Sequence, residues 1–442
     1  MKAKTMLLIA VSLLLLMHLF GCQNYDVLST EQLQTAIPDT NEDVAHLATD
    51  AGFYAKGNIM YYIVEKTRYS SPTTEHGFIY YYDVETGQSG PLCGKPECKH
   101  LPPEGDGEFD FFSETDCGAH FGLVSGQMSA KGPGLLFSDG EYLYAIGATL
   151  SNISVIRFSF DGTRKEKAAD IGKYAFTDME DAPINIQHAA IVRNAVLLVK
   201  HTFGSENGSD LEIYKCNLDG GQTEIIFSRQ ATSYERGPSG NFFQLDGNVI
   251  FTVSFFRVSS EDEQDWIADV YVWNDTNGQF APLLRDIPSA IASCDVSGQI
   301  YYLDNKSHEM KRHSPTDDKT EPVVKVQSAE VGYLTPYVMD KYIIIEQIVT
   351  NAVEIYDVEK QKMIVSVKRT NQDGEDIRLS LVSIDEDRAV FSPGLTRTDG
   401  SDNERLCYTY CSFDELIKGE DIVWNDIVYT GVVDDWKQQT GI

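Results

Sequence analysis

Residues 78–88 read FIYYYDVETGQ. An aromatic and β-branched run with period-2 alternation ends in a polar turn carrying Asp, Thr and Gly, the pattern of a strand entering a hairpin. The phrase recurs as SVIRFSFDGTR (154–164), LEIYKCNLDGGQ (211–222) and DVYVWNDTNGQ (269–279). It returns as EMKRHSPTDDK (309–319), VEIYDVEKQK (353–362) and LCYTYCSFDEL (406–416). Copies are preceded by paired apolar runs with turn residues between them, as in GLLFSDGEYLYAIG (134–147), AAIVRNAVLLVKH (189–201) and PYVMDKYIIIEQ (336–347). A further short apolar run follows several copies: TEIIFS, FAPLLRD, EPVVKV and KMIVSV.

The unit is therefore four short strands in about 50 residues, the signature of a β-propeller blade. One four-stranded sheet cannot cover both of its faces. Blades packed face to face in a closed ring can, and closure limits exposed edges. The spacing predicts an all-β chain with a single β-propeller over residues 51–430, most simply of seven four-stranded blades. Six or eight blades also fit, if one unit is divergent and the ring closes with a strand from each terminus. On this reading Tyr80, Tyr81, Tyr82, Tyr301 and Tyr302 pack between blades rather than present a ligand platform. No helical period of useful length follows the N-terminal segment.

Most hairpins recur at intervals of about 45–53 residues, but the first step is about 84. The excess, residues 92–133, is an insertion after the first blade that carries Cys93, Cys98, His100, Cys117 and His120. Three readings compete for it. Cys93, Cys98, His100 and Cys117 supply the thiolates and imidazole of a structural Zn²⁺ site, although C-x₄-C-x-H is not a standard spacing. Alternatively, Cys117 pairs with Cys93 or Cys98 in a disulfide, as a secreted compartment favours. Thirdly, all the thiols stay free. Cys216, Cys407 and Cys411 fall in strand phrases and read, with Cys294, as small buried apolar residues.

The pattern LC-x-K-P-x-C-x-H…C-x-A after IYYYD-x-x-T-G resembles lipoproteins of Gram-positive gut anaerobes. These carry a propeller domain of unknown function, likened to the low-density-lipoprotein-receptor type. The matching residues are Leu92, Cys93, Lys95, Pro96, Cys98, His100, Cys117 and Ala119. The resemblance implies a location and a shape, not an activity.

Residues 1–21 fit that location. A short basic start with Lys2 and Lys4 leads into an apolar core that reads as a secretory signal peptide. It ends in Leu19-Phe20-Gly21-Cys22, similar to a lipobox, which implies that Cys22 carries lipid and anchors the chain to the outside of a cell membrane. Residues 22–50 form a polar acidic tether, and 431–442 a C-terminal tail. The whole chain has 36 Lys+Arg against 67 Asp+Glu, a formal net charge of −31. Such a chain repels phosphate backbones, which argues against a nucleic-acid partner.

The sequence has no HExxH, GxSxG, P-loop, GxGxxG or CxxC motif. The expected function is ligand binding by a lipid-anchored propeller, the partner being an extracellular glycan, peptide or envelope protein. A propeller glycosidase or lyase with channel carboxylates is the alternative in enzyme form, and an envelope-assembly scaffold the alternative in structural form.

Overall fold

The computed structural model describes residues 46–47, 51–66, 75–101, 117–123, 128–129, 132–148, 152–173, 185–203, 209–218, 220, 223–231, 235–245, 248–260, 263–274, 277–289, 292–295, 297–326, 336–347, 350–370, 374, 376–393 and 404–430. The expected signal peptide, Cys22, nearly all of the tether and the C-terminal tail lie outside the described residues.

After β1 (His46–Leu47) come β2 (Phe53–Lys56), β3 (Ile59–Lys66), β4 (Glu75–Asp83) and β5 (Ser89–Pro91). Next are β6 (His120–Leu123), β7 (Met128–Ser129), β8 (Gly132–Pro133), β9 (Leu136–Ser138), β10 (Tyr142–Ala148), β11 (Asn152–Ser159) and β12 (Lys165–Lys173). Then follow β13 (Asn185–Val192), β14 (Ala195–Phe203), β15 (Ser209–Asn217) and β16 (Glu224–Gln230). The next four are β17 (Glu235–Leu245), β18 (Asn248–Ser260), β19 (Glu263–Asn274) and β20 (Gln279–Ile287). They precede β21 (Ala292–Cys294), β22 (Ile300–Asp304), β23 (Glu309–Ser314) and β24 (Lys319–Lys325). Last come β25 (Pro336–Met339), β26 (Tyr342–Gln347), β27 (Ala352–Asp357), β28 (Lys362–Thr370), β29 (Asp376–Ile377), β30 (Ser380–Ile384), β31 (Arg388–Ser392), β32 (Glu404–Ser412) and β33 (Asn425–Thr430). A single short helix, α1 (Phe413–Lys418), is described, where the last copy of the phrase continues into SFDEL.

The chain is all-β and arranged as a β-propeller. Each recurrent phrase forms the third strand of a meander: β4, β11, β15, β19, β23, β27 and β32. The turns behave as their residues dictate. Asp139 accepts the N–H groups of Glu141 and Tyr142 at 2.8 and 2.7 Å and the Tyr144 hydroxyl at 2.7 Å. Asp295 does the same for Ser297, Gln299 and Tyr301. Asp161 takes hydrogen bonds from the Ser159 hydroxyl and the Thr163 backbone, which hold its carboxyl down to about 2. Much of the chain's acidity thus serves hairpin turns.

Seven separate four-stranded sheets are not what the described strands form. Six sheets of four or more strands appear, because β2–β5 and β9–β12 share one nine-stranded sheet. The cause is β6, which pairs with β4 and also meets β10 at Leu123↔Gly147. Of the remaining sheets, β13–β16 is extended by β1, and β25–β28 by β29.

Alternate residues of one strand serve two neighbours. Val196 and Leu198 of β14 pack with Phe137, Tyr144 and Val155. Leu197 and Val199 of the same strand pack with Phe242, Phe251 and Tyr271 of the following sheet. Both faces are buried, so the strand reads as a continuous apolar run. Tyr80, Tyr301 and Tyr302 are buried in these seams, while Tyr81 and Tyr82 are half-buried.

Among the described residues, the last sheet and the first strands share no strand. The last sheet, β30–β33, comes entirely from the C-terminal end and packs side by side with the first strands. The Tyr408 ring packs tilted against Phe53 at 5.0 Å and edge-on against Tyr62 at 5.9 Å, and its hydroxyl donates to the Gly52 carbonyl at 3.4 Å. Arg388 reaches Asn58 across the same seam at 3.2 Å. Tyr408→Ala is expected to destabilise the chain by about 3–5 kcal/mol, as for a buried aromatic truncation. Chemical denaturation would check this, with Tyr408→Phe losing far less.

A second expectation concerns pH. Burial alone lowers the His201 pKa to about 4. The folded state then binds fewer protons there than the unfolded chain, so this contribution is intact above about pH 6.5 and is lost as pH falls toward 4. Melting temperature followed from pH 7 to 4 should fall less steeply in His201→Phe than in the parent.

Candidate metal centre

The Cys/His stretch interrupts the outer edge of a strand pairing, between β5 and β6. Tyr82, Tyr81 and Tyr80 of β4 pair with Ser89, Gly90 and Pro91 of β5. The Leu92 N–H then donates to the Ile79 carbonyl at 2.8 Å, and the Ile79 N–H donates to the Ala119 carbonyl at 3.0 Å. From there Phe78, Gly77, His76 and Glu75 pair with His120 to Leu123 of β6. So β5 and β6 continue one another along β4, and residues 93–118 leave and return between them. The part of the expected insertion at 119–123 therefore belongs to the sheet itself.

The two lips of this excursion carry Cys93 and Cys117. A turn closed by the Cys98 N–H on the Lys95 carbonyl, at 3.2 Å, brings Cys98 and His100 back toward them. His100 reaches its place with a left-handed backbone, φ 53°. The ligand atoms of Cys93, Cys98, His100 and Cys117 all lie within 4.8 Å of one another. Cys117 Sγ is 3.6 Å from His100 Nδ1. Ligand atoms around a tetrahedral zinc with bonds near 2.3 Å stand roughly 3.8 Å apart, so the set is close to the size required. None of the seven cysteines among the described residues is in a disulfide.

The surroundings favour a thiolate at Cys93. Burial opposes its charge, but hydrogen bonds from the Lys95 and Gly118 backbone and from the neighbouring thiols bring its pKa below the ordinary value. The Gly118 N–H lies 3.3 Å from Cys93 Sγ. Cys117 is more deeply buried, and burial pushes its thiol up to about 12. A metal ion bound here would displace that proton, and a set of three thiols and an imidazole suits Zn²⁺ better than Ca²⁺ or Mg²⁺. With all four positions filled by protein, such a site braces the chain and leaves no place for substrate.

The sequence singled out all four ligands and the structure brings all four together. His120, which lies in the same stretch, does not join them. It opens β6 and is buried there, stacked on His76 of β4 with ring nitrogens 3.0 Å apart. What the sequence did not reveal is the seat of the site. The Gly94 N–H donates to the Gly162 carbonyl at 3.1 Å. A Cβ at Gly118 would sit 2.5 Å from that same carbonyl oxygen, and one at Gly162 would sit 2.6 Å from the Leu92 carbonyl. The ammonium of Lys165 binds the carbonyls of Cys117 and His120 at 3.1 and 3.0 Å. The excursion is thus clamped on the β11–β12 turn, and Gly118, standing next to a cysteine, was the one local hint.

No family model and no curated protein matches the chain. Among solved structures it is similar to a prolyl endopeptidase at 12% identity and a TM-score of 0.50, over 88% of this chain and 50% of that one. A puromycin hydrolase gives 11% identity and a TM-score of 0.45, over 84% and 54% of the two chains. The propeller domain of a trilobed protease from Pyrococcus furiosus gives 10% and 0.40, over 89% and 96%. The chain spans about half the length of the first two. At these identities the likeness speaks to the fold alone.

Gly162→Ala touches no ligand but should lower zinc affinity at least tenfold. It places a side chain where φ is +69° and the Leu92 carbonyl leaves no room. Competition against a chromophoric chelator would measure this. Unchanged affinity would mean that the β11–β12 turn does not seat the site.

Proposed function

We propose that this protein is a lipid-anchored, extracytoplasmic binding module. Its propeller presents the loops at the ring's faces to an extracellular glycan, peptide or envelope protein, and Cys93, Cys98, His100 and Cys117 hold a structural zinc ion. On this reading the ring has seven blades, the nine-stranded sheet being two of them joined through β6. The observation that carries the proposal is the filled ligand set. Three cysteines and a histidine converge with no position left for substrate, so the metal braces the fold and binding falls to the loops. The anchor rests on Leu19-Phe20-Gly21-Cys22 following an apolar core.

Two measurements on the full-length protein test the parts separately. Expressed in a Gram-positive host, the parent should fractionate with the membrane and Cys22→Ser should not. Parent protein purified without chelators should carry one zinc per chain in its native mass and lose it on denaturation. A native mass showing no metal and two hydrogens fewer per cysteine pair would replace the zinc with a disulfide. Membrane association that persists in Cys22→Ser would remove the lipid anchor.

A further inference from the structure

We propose that the zinc ion acts as a lock on β6, so that its occupancy decides whether the first strands of the ring and the second set remain one sheet. This rests on the zinc reading above and adds a consequence to it.

The geometry of β6 is the reason. It is only four residues long and pairs with just four residues of β4 and one of β10. A strand so short has little stability of its own and must be held at its ends. Its N-terminal approach runs directly from Cys117, through Gly118 and Ala119. The opposite lip, Cys93, follows Leu92, which bonds the same residue of β4 that holds Ala119. A metal joining Cys93 to Cys117 therefore closes the excursion at its neck. It removes the loop-closure entropy that otherwise opposes bringing Ala119 back to Ile79.

What β6 covers makes the lock consequential. Phe121 and Leu123 are buried within the core cluster that also contains Ile63, Phe78, Leu143 and Phe158, drawn from both sets of strands. Phe121 packs edge-on against Phe158 of β11 at 5.8 Å. Gly77 lies under the same ring, where an added Cβ would stand 2.8 Å from Phe121. Release of β6 would free one edge of β4 beyond Ile79 and uncover this apolar seam. Two other ties act on the same end of β6 that the metal holds: Lys165 on the Cys117 and His120 carbonyls, and the buried contact of His120 with His76.

Hydrogen exchange on full-length protein in detergent, read by mass spectrometry of peptides, tests the lock. Zinc content is measured on the same samples. Removing zinc with a chelator should speed exchange at residues 119–123 by tenfold or more. Exchange in β14 and β27, far from the site in sequence, should change less than twofold, and added zinc should restore protection. Zinc bound at one per chain with the same exchange at 119–123 in both states would overturn the lock and leave the site standing. Equal acceleration in β14 and β27 would also overturn it, giving the metal a global role. Absence of bound zinc would overturn both the lock and the reading it rests on. Because the comparison uses parent protein with and without metal, it does not depend on a ligand variant folding.

Discussion

A ring of sheets has to close, and among the described residues the closure is made by side-chain contacts rather than by a shared strand. The first strands and the last sheet come from opposite ends of the described chain, and no strand crosses between them. Tyr408, Phe53 and Tyr62 carry that seam, with Arg388 and Asn58 at its edge. Every other sheet depends on this contact, because each has two apolar faces and needs a neighbour on both. A gap at one seam would leave two faces exposed, and the large rings of Tyr408, Phe53 and Tyr62 fill this one. The Tyr408 hydroxyl has one further role: it satisfies the Gly52 carbonyl where the chain enters β2.

The acidic balance and the fold are connected. The formal net charge of −31 has a structural source. Several aspartates occupy hairpin turns and accept backbone N–H groups two to four residues on, as Asp139, Asp295 and Asp385 do. Others, such as Asp83, also bind a threonine hydroxyl within the turn. A meander of short strands needs many turns, and an ionised carboxylate is a strong acceptor for the N–H groups that each turn leaves over. Charge is thus partly a by-product of turn chemistry.

The Cys/His stretch shows how an insertion can be carried without loss of a strand. Nature's simplest place for extra residues is a loop, where the backbone is already solvated. Here they interrupt the outer strand, and the two halves resume along β4 at the single residue Ile79. Such an interruption leaves a strand that must find its register again after an excursion. Cys93 and Cys117 stand at the lips of the break, in a cluster that could hold a metal ion across it.

The repeat, the strands and the four clustered side chains were legible in the sequence because each depends on local chemistry. Alternating apolar residues make strands, Asp and Gly make turns, and a unit that recurs must stack. All seven copies of the FIYYYD phrase became third strands. Cys93, Cys98, His100 and Cys117 were set apart by residue type alone, and they converge. Only the tertiary structure decided the rest. That β6 fuses two expected blades follows from the pairing of Leu123 with Gly147, a contact between residues on different units. That Gly162 seats the site follows from a close approach of two turns distant in sequence. The tilt of SFDEL into α1 rather than another turn follows from packing of Phe413 and Leu416 against the last two sheets. Periodicity reports which face of a strand is buried, but not which neighbour buries it; that is settled when the ring closes and each face meets its partner.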